Sequence, residues 1–169
     1  MKFKILTSVI IFFLSISIIA KTALDKRPLV QIKTSKGDIV IRLFPDEAPK
    51  TCENFLAYVN DSFYDNTIIH RVIDGFLIQA GGFDKNYDPK KTRAPIKNES
   101  ITAKSNLKGT VSMALKLDKD SASSQFFFNL SDNTDLDYTT KKARGHTVFA
   151  EVIQGYETLI KISKVRTRR

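Results

Sequence analysis

Arg71 and Gln79 are the side chains in this sequence that most need a reason. They lie within Phe63–Phe83, two strand-like runs joined at Asp74-Gly75, among aliphatic and aromatic neighbours. A guanidinium held against an apolar face is costly unless it has partners or a task. Strand alternation sorts the surroundings. Arg71 is expected to share a face with Ile69 and Ile73 while His70 and Val72 turn the other way, and Leu77 and Gln79 point together. In Gln125–Asn129, the side chains of Gln125, Phe127 and Asn129 point together, leaving Phe126 and Phe128 for the interior. One surface should therefore carry Arg71, Leu77, Gln79, Gln125 and Phe127: an apolar platform with one cation and two amides.

Other chemistries lack their residues. His70 and His146 do not have the spacing of a paired metal motif, and the single cysteine, Cys52, cannot complete a zinc site. Gly-x-Ser-x-Gly, a phosphate-binding loop and Gly-x-Gly-x-x-Gly are all absent from the sequence. Nothing points to a nucleophile–base–orienter triad. His146, taken alone, reads as a surface or turn histidine. An apolar groove with an arginine fits a reaction that breaks no bond, such as rotation about an X–Pro peptide. The barrier of about 18–20 kcal/mol comes from amide resonance. As the bond twists, the prolyl nitrogen gains a lone pair that a guanidinium in a dry site can hydrogen-bond. The residues admit this reaction without selecting it.

Whatever the site does, one domain must hold it. The chain has 169 residues, 42% of them apolar, enough for a single core. Lys2 and Lys4 followed by the 16-residue apolar run Ile5–Ala20 read as a secretory signal peptide or signal anchor over residues 1–20. A linker over 21–28 and a domain over 29–169 follow, and the product is expected to be periplasmic or secreted, touching a membrane only if residues 1–20 stay attached. Removing the two lysines lowers the formal charge from +9 to +7. The remaining basic residues are dispersed, with no stripe of exposed aromatics among them, so no nucleic-acid partner is expected. Cys52 shares a helical face with Phe55, Leu56 and Val59 and reads as a buried small hydrophobe.

The positioning elements follow from the same patterns. Leu29–Thr34 and Asp38–Phe44 alternate around the turn Ser35-Lys36-Gly37. Pro45–Pro49, with acids Asp46 and Glu47, opens the helix that holds Cys52. Strand-like runs recur at Thr110–Leu115, Gln125–Leu130 and Thr147–Ile153, a polar loop spans Asp84–Pro95, and a helix runs from Tyr156 to about Val165. Many short strands with two helices suggest a mainly β fold, a closed or nearly closed antiparallel barrel capped by helices.

The segments Phe63–Gly82 and Ser124–Asn129 resemble the signature of the cyclophilins. Gly109–Ala114 and His146–Val152 resemble it more weakly, and Ile96-Lys97-Asn98-Glu99 with Asp118–Ala122 is closest to the bacterial periplasmic branch. The resemblance implies a peptidyl-prolyl cis-trans isomerase on an eight-stranded antiparallel barrel with two capping helices, needing no cofactor or metal and working as a monomer on proline-containing peptides and unfolded exported proteins. It implies a catalytic pair, Arg71 hydrogen-bonding near the prolyl nitrogen and Gln79 holding Arg71 and contacting the substrate carbonyl. Phe76, Leu77, Phe127 and Leu136 would line a proline pocket, with His146 at its edge. Ala114 and Gln125 would line the groove for residues preceding proline. Three positions depart from the family pattern. Asp74 replaces a usual proline, with little consequence expected in a turn. Asp135 replaces a usual aromatic, which should weaken cyclosporin-type inhibition. The family's final barrel strand is not matched after Val165, so unpaired sheet edges are expected. A proline-peptide binding module with little turnover is the alternative that this third departure implies.

Overall fold

The computed structural model describes residues 27–167. The expected signal segment and residues 21–26 of the linker lie outside the described residues. Seven strands and two α-helices follow the expected order: β1 (Leu29–Thr34), β2 (Gly37–Leu43), α1 (Pro49–Asn60), β3 (Thr67–Ile73), β4 (Leu77–Asp84), β5 (Thr110–Met113), β6 (Phe126–Asn129), β7 (Val148–Gln154) and α2 (Tyr156–Ser163), with a 3-10 turn at Thr134–Leu136 before β7.

All strand pairings are antiparallel, in the order β1-β2-β7-β5-β6-β4-β3. The sheet wraps one core. Alternation in β2 buries Ile39, Ile41 and Leu43 completely, and Ile78, Val111, Met113, Phe126, Phe128 and Phe149 join them from the other strands. Helix α1 adds Cys52 and Phe55, and α2 adds Leu159 and Ile162. Phe126 meets Phe55 and Tyr64 edge-on, with centroids 5.4 Å from each. Such contacts add to the area term that dominates a core of this kind.

The expected open edge is present among the described residues. β1 and β3 end the sheet and do not pair with each other. Between them lies a cavity of about 860 Å³ whose walls include Val30, Ile32, Ile69, Val72 and Phe128.

The N-terminus of α1 differs from expectation. Pro49 occupies the first turn as predicted, but no acid stands in that turn and Ala48 makes no side-chain cap. Glu99, distant in sequence, serves instead: its carboxylate accepts from Lys50 N–H (3.0 Å), Thr51 N–H (2.9 Å) and the Thr51 hydroxyl (2.7 Å). An anion on otherwise orphaned N–H donors is favoured there by both hydrogen bonding and the helix dipole. The two stretches read as a branch signature thus have a physical task. Ile96 pairs with Ala122, and Asn98 N–H donates to the Asp120 carboxylate at 2.8 Å. Together they fasten the loop preceding β5 to α1.

The polar loop Asp84–Pro95 is also pinned. Phe83 bridges to Pro89, Arg93 N–H donates to the Tyr58 hydroxyl at 2.8 Å, and the Arg93 guanidinium pairs with Asp61. Cys52 is 2% exposed and its thiol donates weakly to the Phe149 carbonyl. Burial pushes its pKa up to about 12, so it is packing material and not a nucleophile.

Candidate active site

Arg71 reaches the surface through an irregularity in β3. The pairs are Ile69↔Ala80, Arg71↔Gln79, Val72↔Ile78 and Ile73↔Leu77, so two steps along β3 match one along β4. A bulge of this kind re-aims the side chains that follow it. Ile69 and Val72 therefore both pack against the core, while Arg71 stands exposed. The expected common face for Ile69 and Arg71 is overturned here, because His70 is the extra residue. The guanidinium is not a buried cation.

Beyond the bulge the alternation holds. Across β4 and β6, Gln79 faces Phe127 and Leu77 faces Asn129, while Ile78 and Ala80 face Phe128 and Phe126 on the core side. Arg71 Nη1 donates to Gln79 Oε1 at 3.2 Å, and Gln79 Nε2 donates to Gln125 Oε1 at 2.8 Å. This directed line fixes the rotamer of each member and leaves the remaining Arg71 donors facing outward. The Gln125 end depends on a close approach: a Cβ at position 82 would lie 2.4 Å from Gln125 Nε2 and 2.5 Å from its Cδ. Only glycine at 82 lets Gln125 lie where Gln79 can reach it.

Phe127, 2% exposed, forms the floor beside this line. The His146 ring meets it edge-on, with centroids 5.2 Å apart. His146 is anchored twice: its backbone N–H donates to the Leu136 carbonyl at 2.8 Å, and Nδ1 lies 3.0 Å from the Met113 carbonyl. Burial holds its imidazole below the ordinary histidine range, Arg144 adds to this, and the Met113 carbonyl opposes it. The neutral ring donates from Nδ1 to that carbonyl and keeps a lone pair on Nε2. Leu136 is half-buried, and Ala114 N–H donates to the Gln125 carbonyl at 2.9 Å, placing Ala114 against the amide end of the platform. Phe76 is held through its carbonyl, which accepts from Leu130 N–H (2.9 Å) and Asn133 Nδ2 (3.0 Å). Arg71, Gln79 and Gln125 thus form one line and Phe127 and His146 one ring contact, with Ala114 and Leu136 bonded through their backbones to Gln125 and His146, and Leu77 two residues before Gln79 on the same side of β4.

Sequence reasoning missed the layer beneath. Asn106, fully buried, donates through Nδ2 to Asp137 Oδ1 (2.8 Å) and to the His146 carbonyl (3.2 Å), and accepts from the Ser112 hydroxyl (2.6 Å). Asn129 Nδ2 donates to Asn106 and Thr110, and Asn133 Nδ2 donates to Asn129 Oδ1 at 2.8 Å. Fully satisfied buried amides of this sort specify one arrangement. Here they tie the Phe76 corner to His146. An asparagine ending an otherwise aromatic strand, at Asn129, was the available signal. Asp74, in the β3–β4 turn, meets Lys164 after α2 in an exposed ion pair of 2.6 Å, a contact of small worth in water.

Residues 29–169 match the family described as cyclophilin type peptidyl-prolyl cis-trans isomerase/CLD. The chain belongs to that family. It is 46% identical over 143 residues to peptidyl-prolyl cis-trans isomerase B of Escherichia coli, covering 83% of this chain and 87% of that protein. Peptidyl-prolyl cis-trans isomerase A of Dickeya dadantii is 46% identical over 138 residues, covering 82% and 72%. A crystal structure of a Cryptosporidium parvum cyclophilin type isomerase, in the presence of the dipeptide Ala-Pro, superimposes with a TM-score of 0.70 at 28% identity, covering 84% of this chain and 89% of that one. The fold and the isomerase class expected from the sequence are borne out. In this cyclophilin the platform of Arg71, Gln79, Gln125 and Phe127 takes its geometry from the bulge at His70 and the gap at Gly82.

Two measurements follow. Gly82→Ala should lower isomerase kcat/KM by about tenfold or more through misplacement of Gln125 and hence Arg71, with the chain still folded by circular dichroism. An unchanged rate in the folded variant contradicts the dependence. His70 and His146 both lie below the ordinary histidine value, each chiefly through burial and next through a neighbouring arginine or opposed by a carbonyl contact. The unfolded chain therefore takes up protons first, near pH ~6.5. Their contribution to stability is complete above that pH and is lost as pH falls towards the folded-state values. The urea midpoint should hold steady from about pH 8 to 7 and drop between about 7 and 5, above the window in which carboxylates titrate. A midpoint that rises on acidification through this range contradicts the sign.

Proposed function

We propose that this cyclophilin accelerates X–Pro rotation in exported polypeptides, with the proline ring seated against Phe127, Phe76, Leu77 and Leu136 and the His146 edge. Arg71 donates to the prolyl nitrogen as it loses conjugation. The single observation that carries this reading is the directed line Arg71–Gln79–Gln125 laid alongside the Phe127–His146 floor.

The division of labour follows from the groups available. Gln79 Oε1 occupies one Arg71 donor, which holds the guanidinium plane while leaving the others free. Hydrogen bonds from an ionised donor strengthen as the acceptor gains a localised lone pair, so Arg71 favours the twisted amide over the planar one. Gln79, held in turn by Gln125, is a positioning residue that also borders the substrate carbonyl. Ala114 and Gln125 flank residues preceding proline. Phe127 and Leu136 exclude water, which raises the worth of the arginine contact. His146, neutral in its buried setting, closes the pocket without adding charge. The Ala-Pro dipeptide in the structure of the Cryptosporidium relative supports a proline-containing ligand.

Isomerisation of a short Ala-Pro peptide by the purified chain should exceed the uncatalysed rate, and Arg71→Ala should lower kcat/KM by about 10²–10³-fold. Equal rates for both proteins at the uncatalysed level would overturn the enzyme reading. Peptide binding without turnover would identify a holdase. The protein acts as a monomer in the periplasm or outside the cell, after loss of residues 1–20. Cell fractionation with N-terminal sequencing checks this, with a mature product beginning after Ala20 as the expected result.

A further inference from the structure

Beside the proposed proline pocket lies a second recess. A cavity of about 390 Å³ opens between Asp135 and Leu136 on one side and Lys142, Arg144, Gly145 and His146 on the other. It shares Leu136 and His146 with the proline pocket, so the side chain next to a bound proline comes within its reach. Residues preceding proline lie along Ala114 and Gln125 in that arrangement, which leaves this recess to the residue that follows.

The recess is built by a pinned loop. Thr139 and Arg144 form a β-bridge across it. Gly145 packs so tightly on the opposite limb that a Cβ there would lie 2.2 Å from Tyr138 N. The Asn98 amide, already joined to Asp120 through its backbone, donates to the Gly145 carbonyl at 2.9 Å. Asp137 does not line the recess: its carboxylate turns away to the Ser105 hydroxyl and accepts from Asn106 N–H at 2.7 Å.

Its charges are unbalanced. Lys142 Nζ donates to the Asp135 backbone carbonyl at 2.6 Å, and Arg144 Nη1 donates to the Leu117 carbonyl at 3.4 Å. Both contacts are to neutral oxygens, and among the described residues neither cation is in a salt bridge. Against these two positive charges stands one carboxylate, Asp135. The wall is therefore net cationic, and each cation keeps free donors.

We infer that Lys142 and Arg144 form a cationic subsite that favours substrates carrying a carboxylate on the residue after proline. The inference rests on the isomerase reading and adds a substrate class to it. Partly exposed ion pairs of this kind are individually weak and salt-dependent, so the preference is modest and screened at high ionic strength.

The test compares kcat/KM for peptides that differ only after proline, with Glu, Gln or Lys there. At low salt the Glu peptide should exceed the Gln peptide by about threefold, and the Lys peptide should fall below it. The difference should vanish at about 1 M salt, where the screening length is about 3 Å. Lys142→Gln and Arg144→Gln should each move the Glu-to-Gln ratio towards one, whereas Asp135→Asn should raise it. Equal rates for Glu and Gln in a protein that turns over both, or a ratio untouched in the Lys142→Gln/Arg144→Gln double variant, overturn the subsite and leave the isomerase reading standing. No turnover of any peptide overturns the isomerase reading itself. Fluorescence titration of the same peptides then decides the subsite separately: tighter binding of the Glu peptide supports it, and equal binding overturns it.

Discussion

The two sides of β6 cannot be exchanged, and the rest of the molecule is arranged around that constraint. Phe126 packs on Phe55 and Tyr64 and Phe128 packs beside it in the core, while Phe127 between them forms the floor of the site. One aromatic strand is thus both the inner wall of the domain and the outer surface of its pocket. Because side chains alternate with a period of two, a slip of one residue would bring Phe127 into the core and strip the pocket of its floor. The flanking strands obey the same parity. Gln79 lies opposite Phe127, and Ile78 lies opposite Phe128.

Polar contacts between distant segments complete what the sheet begins. Glu99 serves as the N-terminal cap for a helix whose own sequence supplies none. Asn106 and Asn133 link three loops that meet behind His146 and Phe76. These groups touch no part of the proposed substrate path. Their effect is to keep short loops, which have little apolar surface of their own, in one arrangement. The apolar platform gives the site its shape, and the amides beneath give it rigidity.

Much of this was legible in the sequence. The order of strands and helices follows from alternating runs and turn residues, and the grouping of Gln79, Gln125 and Phe127 follows from parity within their strands, whereas Arg71 joins them only through the bulge. Two kinds of feature escaped. The bulge at His70 is invisible to periodicity, because a regular strand and a bulged one can share the same residues when only the pairing partner differs. The capping role of Glu99 and the amide layer around Asn106 are contacts between segments far apart in the chain, and local patterns carry no information about them. His146, an unremarkable turn histidine on its own, gains meaning only from the Phe127 ring and the Met113 carbonyl it lies against.

The bulge in β3 has a bearing on how this surface tolerates change. Arg71 stands opposite Gln79 and faces outward although Ile69, two residues earlier, faces the core, because His70 is taken up without a ladder pair of its own. Loss of His70 would therefore leave a regular ladder, with Ile69 still opposite Ala80 and Arg71 still opposite Gln79 on the outward side. What holds the guanidinium on its side of the sheet is its cross-strand partner and not its distance along β3 from Ile69. The strand can give up one residue at this point and present the same surface.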